Sequence, residues 1–144
     1  VMLNAASANG PREIQIGLPS ADVNVLENGI PVGLGTDTAC PFVTHYDMWR
    51  ELQYFHKYVG VSRAFALYTA TGRNAEIAGI SAETGRIEAG KSADFLVTAA
   101  NPLEDLSALR TPCLVVARGR IFKNPKVKKN AVCERALDKC FAEN

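Results

Sequence analysis

Histidine is nearly missing from this chain: among 144 residues only His45 and His56 occur. A hydrolytic zinc site typically takes about three protein ligands plus a water, so a cage of imidazoles has no material here. The four cysteines, Cys40, Cys113, Cys133 and Cys140, are scattered with no Cys-x-x-Cys pair. That removes zinc-ribbon spacing and favours reduced thiols in a cytoplasmic protein over a disulfide framework. No apolar run approaches the roughly 20 residues of a membrane span. A formal net charge of +1 gives no global field to gather nucleic acid or a membrane surface. No secretory leader is visible, and the chain opens at Val1 without an initiator methionine, which leaves room for a segment upstream.

Hydrophobic residues make up 47% and charged residues 22%, the balance of a soluble globular protein. The length suits one domain with a core, yet falls well short of the roughly 250 residues of an eightfold α/β barrel. Asn9-Gly10-Pro11 marks a turn after a small apolar opening. Ser20 is placed to cap a short helix that ends at Gly29. Ile30 to Leu34 reads as a short strand, with Pro31 near its start where a missing donor is tolerated. Asp47 opens the next helix, in which Met48, Leu52, Phe55 and Val59 form one apolar stripe. Gly60 ends it. Ser62 caps another helix, and Thr71 begins a third, short one that ends at Gly79.

After Ile80 the character changes. Thr84-Gly85, Ala89-Gly90 and Asn101-Pro102 punctuate strand candidates at Arg86 to Glu88, Asp94 to Thr98 and Cys113 to Arg118, and Gly119 turns the chain into Arg120 to Lys123. The organisation expected is therefore 1–80 helix–strand alternation, 81–123 a β-rich unit, and 124–144 a tail with a helix from Ala131 to Phe141.

The chemistry concentrates at Gly29-Ile-Pro-Val-Gly-Leu-Gly-Thr-Asp37. An apolar strand delivers one carboxylate onto a loop, and Gly35 lets backbone and ligand approach closely. Alone, Gly-Thr-Asp also fits a plain turn or helix cap. The order of motifs that follows is more specific: Asp47-Met48 with Glu51, Ala70-Thr71 with Asn74-Ala75, Gly79-Ile80, Gly85-Arg-Ile-Glu-Ala-Gly-Lys-Ser-Ala-Asp94, and Asn101-Pro102-Leu103. From about Ala5 to Phe122 this series resembles the amidohydrolase superfamily, most nearly its chlorohydrolase and cytosine-deaminase-like branch. Ser7, Asn9, Gly17 and Pro19 resemble that branch's loop after the seventh strand.

The resemblance implies an α/β fold: the C-terminal fragment of a (β/α)8 metal-dependent hydrolase barrel with part of a small β-sandwich. It implies zinc or iron in the full-length parent and a metal-activated water attacking a carbon–nitrogen (non-peptide) bond of a small-molecule substrate. Asp37 matches the last-strand metal ligand and general base. Thr36, Thr38 and His45 would line the substrate pocket, although His45 also fits a residue packed on Tyr46. The family's His-x-His has no counterpart, so this chain alone is expected to hold no catalytic metal and to be inactive.

The expected partner is a second copy or another chain that completes the barrel, because an open sheet edge invites pairing. Glu51-Leu52 and Asn101-Pro102-Leu103-Glu-Asp105 fit imidazolonepropionase-like or Xaa-Pro dipeptidase-like branches as well. A non-catalytic binding module that lost the metal site is the remaining alternative. Asp47 and Glu51, one helical turn apart, read as partners of the helix dipole. His56 reads as a packed histidine, Lys91 and Asp94 as turn formers, and the basic run Lys123, Lys126, Lys128 and Lys129 as a solvated surface.

Overall fold

A computed structural model describes residues 25–38 and 43–142, with no account of the side chains of Cys140 and Phe141. The expectations resting on Ser7, Asn9, Gly17, Pro19, Ser20 and Cys40 lie outside those residues. The described architecture is mixed helix and sheet, in two parts.

The helical part begins with a turn of helix at 25–27, closed where Gly29 (φ 69°) donates to the Leu26 carbonyl at 3.0 Å. Helix α1 runs Met48–Val59, and its stripe of Leu52, Phe55 and Val59 is buried. Gly60 stops it in the left-handed region at φ 81°, where its N–H reaches the His56 carbonyl at 3.2 Å. Helix α2, Arg63–Tyr68, starts at Ser62, whose hydroxyl accepts from the Phe65 N–H at 3.1 Å. In place of a separate third helix, the chain continues through a wide π turn, Thr69–Arg73, straight into α3, Asn74–Ile77. The hydroxyls of Thr69 and Thr71 donate back to the Phe65 and Leu67 carbonyls at 2.8 and 2.7 Å. The core gathers Val32, Leu34, Leu52, Phe55, Val59 and Ala66 with Leu106, the last from a 3-10 turn at Leu106–Arg110.

Three short antiparallel strands make the second part, in the order β1 (Phe95–Val97), β2 (Leu114–Ala117), β3 (Arg120–Lys123). Val116 faces Phe95 on one side and Ile121 on the other. The strand expected at Arg86 to Glu88 does not form: those residues lie in a turn region, and Ile87 is 83% exposed. With no neighbouring backbone to bond, a run of three residues between two glycine turns gains nothing by extending. Helix α4, Ala131–Ala142, closes the described chain and packs Leu137 inward. Among the described residues no helix is long and apolar enough to cross a membrane.

Candidate active site

The segment carrying Asp37 belongs to no sheet among the described residues. Ile30 to Leu34, expected as a strand, makes no strand pairing there, and only Thr38 forms an isolated bridge. A parallel barrel strand takes its hydrogen bonds from neighbours on both sides, and no such neighbour is among the described elements. Burial nevertheless keeps the two-residue rhythm of a strand, with Val32 and Leu34 inside.

A side chain stands in for the missing neighbour. Asn74, on α3, accepts from the Leu34 N–H at 2.9 Å and donates to the Leu34 carbonyl at 2.8 Å, bracketing one residue as a strand partner would. Gly33 makes this possible: a Cβ there would stand 2.5 Å from the Asn74 side-chain oxygen. The bracket fixes the segment three residues before Asp37.

Asp37 itself is exposed and has φ 50°. Aspartate is among the few residues besides glycine that enter the left-handed region with any ease. Its exposure continues the segment's alternation, in which Val32 and Leu34 point inward. Thr36 and Thr38 share a hydroxyl–hydroxyl bond of 2.6 Å around it. His45 is exposed and packs edge-on against Tyr46, with ring centroids 5.1 Å apart. His56 donates from Nδ1 to the Val61 carbonyl at 2.6 Å, which places it in the structure of the helix end.

Beside Thr36 lies a small cavity of about 20 Å3, walled also by Val43, Thr44, Asp47, Arg50, Glu51, Tyr54 and Leu137. Its acids are not the dipole partners expected. Glu51 is only 3% exposed, its Oε2 has no hydrogen-bond partner among the described residues, and burial pushes its carboxyl up to about 8. Burial thus favours its protonated form well above the usual carboxylate range. Asp47, at the start of α1, makes no side-chain cap bond to the helix. It accepts from the Thr44 hydroxyl at 2.5 Å and the Trp49 indole at 3.0 Å, and its Oδ2 lies 3.5 Å from Arg50 Nε. Burial would raise its pKa, but the Thr44 hydroxyl, the Glu134 carboxyl, the Arg50 charge and the Trp49 indole together hold it below the usual carboxylate range.

Arg50, equally buried, reaches helix α4, with Nη2 2.9 Å from Asp138 Oδ1 and 3.6 Å from Glu134 Oε2. Arg110 bonds Glu134 at 2.8 Å and Asp138 at 3.0 Å. Spacing in the sequence gives no hint of this network, in which the Arg50–Asp138 bond joins residues 88 positions apart. No local signal marks Arg50, which lies on the face of α1 opposite the Met48, Leu52, Phe55 and Val59 stripe, where a cation reads as solvated.

Lys91 and Asp94 do act in turns: Lys91 pairs with Glu88 at 3.0 Å, and Asp94 accepts from the Arg118 N–H at 2.6 Å and the Thr84 hydroxyl at 3.1 Å. Among the described residues no three His, Cys, Asp or Glu side chains stand close enough to hold a metal ion. Asp37 offers one donor, and the residues described here do not by themselves fit a catalytic metal.

No curated protein matches this chain. Solved structures do. A candidate prolidase from Bifidobacterium longum is 40% identical, with TM-score 0.85 over 96% of this chain and 37% of its own. A Xaa-Pro dipeptidase with methionine bound in its active site is 28% identical, with TM-score 0.68 over 81% of this chain and 27% of its own. A prolidase complexed with N-methylphosphonate-L-proline is 25% identical, with TM-score 0.63 over 82% of this chain and 28% of its own. The chain thus spans well under half the length of each. The profile of the amidohydrolase family matches residues 21–122, a stretch that holds Asp37, the Asn74 bracket and the Asp94 turn alike. By that match, and by its likeness to the candidate prolidase, the chain belongs to the amidohydrolase family.

Proposed function

We propose that the whole protein is a hydrolase of the Xaa-Pro dipeptidase kind, cleaving a small peptide before proline, with Asp37 at the reacting centre. The observation that carries this reading is the 40% identity to a candidate prolidase across 96% of the chain. Two further structures of named prolidase or Xaa-Pro dipeptidase type support it. The deaminase and chlorohydrolase reading, drawn from the Gly-Thr-Asp37 and Gly-Lys-Ser-Ala-Asp94 motifs, loses ground to it: these motifs are compatible with either branch, and the structures just named are all of the other kind. The bond attacked is then a peptide bond to an imino nitrogen instead of an exocyclic amine.

In this reading Asp37 accepts the proton of the attacking water and returns it to the departing proline nitrogen. Its exposed carboxylate at the end of an anchored segment suits that task. General acid–base groups contribute typically 100- to 10,000-fold. Asp37 is also this chain's one match to a metal-ligating position of the family, and any further donors would come from outside the described residues. Thr36, Thr38 and His45 border the place where the dipeptide would lie.

The test is hydrolysis of Xaa-Pro dipeptides by the whole protein and by its Asp37→Asn variant. Cleavage that falls at least about 100-fold in the variant, at an unchanged unfolding temperature, supports the reading. Release of ammonia from amino-substituted heterocycles without Xaa-Pro cleavage would return it to the deaminase branch. Binding of either substrate without turnover would favour the non-catalytic module.

A further inference from the structure

The segment 43–47, which carries His45 and walls the cavity beside Thr36, is held from the far end of the chain. Two sets of contacts do this. In one, the Tyr46 hydroxyl accepts from the Asn130 N–H at 2.9 Å, and Lys129 Nζ lies 5.7 Å from the Tyr46 ring centroid. In the other, Arg50 stands between Asp47 and the α4 acids Glu134 and Asp138, while Asp47 in turn accepts from Thr44. The Asp47 N–H returns to the Thr44 carbonyl at 3.3 Å and closes the turn. All of the ionic members except Asp138, Arg110 and Lys129 are buried.

We propose that Arg50 is a positioning residue through which the C-terminal helix holds segment 43–47, with Thr44 and His45, beside the segment end that carries Asp37. This rests on the Xaa-Pro reading for its functional half only. The guanidinium suits the role because its planar fork meets carboxylates on two sides at once, which a lysine ammonium does not. Its burial removes the competition of water. A buried ion pair adds little net stability over an apolar pair, so fixing one arrangement of the segment is the effect such a network has to offer. Loss of the link leaves Asp37 and its anchor on Asn74 in place, and changes where the pocket wall stands.

The chain's only tryptophan reports on the link directly. Trp49 donates its indole N–H to Asp47, and the Arg50 and Arg110 guanidinium carbons lie 4.5 and 5.2 Å from its ring centroid.

The test compares the whole protein with Arg50→Lys and, because a change at a buried site can unfold a protein, with Asp138→Asn at the exposed end of the network. Hydrogen exchange of amides 44–47 and of the Trp49 indole is measured alongside kcat and KM for a Xaa-Pro dipeptide. Each variant is expected to speed exchange about tenfold, the equivalent of one charge-assisted hydrogen bond. KM should rise about tenfold with kcat within about twofold, since a misplaced wall weakens binding and leaves the proton transfer intact. Unchanged exchange in Asp138→Asn would overturn the link. Faster exchange at an unchanged KM would overturn the positioning role while the link stands. Should the unaltered protein cleave no Xaa-Pro dipeptide, the functional reading falls, and the exchange data alone decide the link.

Discussion

The helical part and the sheet of this protein are both rich in apolar side chains, yet only the helical part buries many of them. Around α1, the residues Val32, Leu34, Leu52, Phe55, Val59, Ala66 and Leu106 close on one another. In the sheet Val116 alone is buried, and the cross-strand row Leu96, Val115, Phe122 lines the face opposite it. Leu96 and Phe122 in that row are about half exposed, as are Val97 and Ile121 on the other face. A helix satisfies its own backbone and needs cover along one stripe only. A sheet apolar on both faces needs a layer on each, and the described residues supply too few. Among the described residues the helices are therefore the better covered part.

The sharpest way to break this comparison is to empty the helical core. Phe55 is fully buried, and Phe55→Ala should cost about 3–5 kcal/mol through lost burial and the cavity left behind, read as a fall in the denaturant midpoint. A loss below about 1 kcal/mol would mean that the helices hold no better core than the sheet does.

Next in size is the buried acid. The Glu51 carboxyl ordinarily titrates near 4.5 and is raised to about 8 in the fold. Between those values the folded protein keeps a proton that the unfolded chain has released, so stability falls as pH rises through that window and levels off above it. Glu51→Gln should therefore leave stability at pH 4 unchanged and raise it at pH 7 by up to about 3 kcal/mol, at 1.36 kcal/mol per unit. Parallel pH curves for the two proteins would show that Glu51 is solvated after all.

The smallest effect belongs to the sheet. Leu96→Thr, at a half-exposed position, should shift stability by no more than about 0.5 kcal/mol. A cost of several times that in the whole protein would reveal a covering layer on this face, and so sharpen the contrast.

Much of the site's frame was legible in the chain. Gly29 and Gly60 marked helix ends because only a residue without a Cβ turns so freely. The stripe from Met48 to Val59 marked a buried face of α1, and Gly119 marked the hairpin between β2 and β3. Asp37 stood out because a carboxylate ends a run of apolar residues and glycines. Its left-handed backbone did not, since aspartate adopts either form. Glu51 shows the limit most plainly. One helical turn from Asp47, it read as a partner of the helix dipole, and only the fold, which buries it beside Thr36, Tyr54 and Leu137, raises its carboxyl so far.

By itself the sequence determined what depends on near neighbours: where helices start and stop, which faces are apolar, the hairpin, and a family likeness carried by ordered motifs. Tertiary structure alone decided that Asn74 replaces a strand neighbour, that Arg50 bonds Asp138 across 88 positions, and that burial raises the Glu51 carboxyl. Backbone preferences act over a few residues and leave their mark in local pattern. Desolvation and ion pairing depend on what the fold brings within a few ångströms, and no local pattern records that.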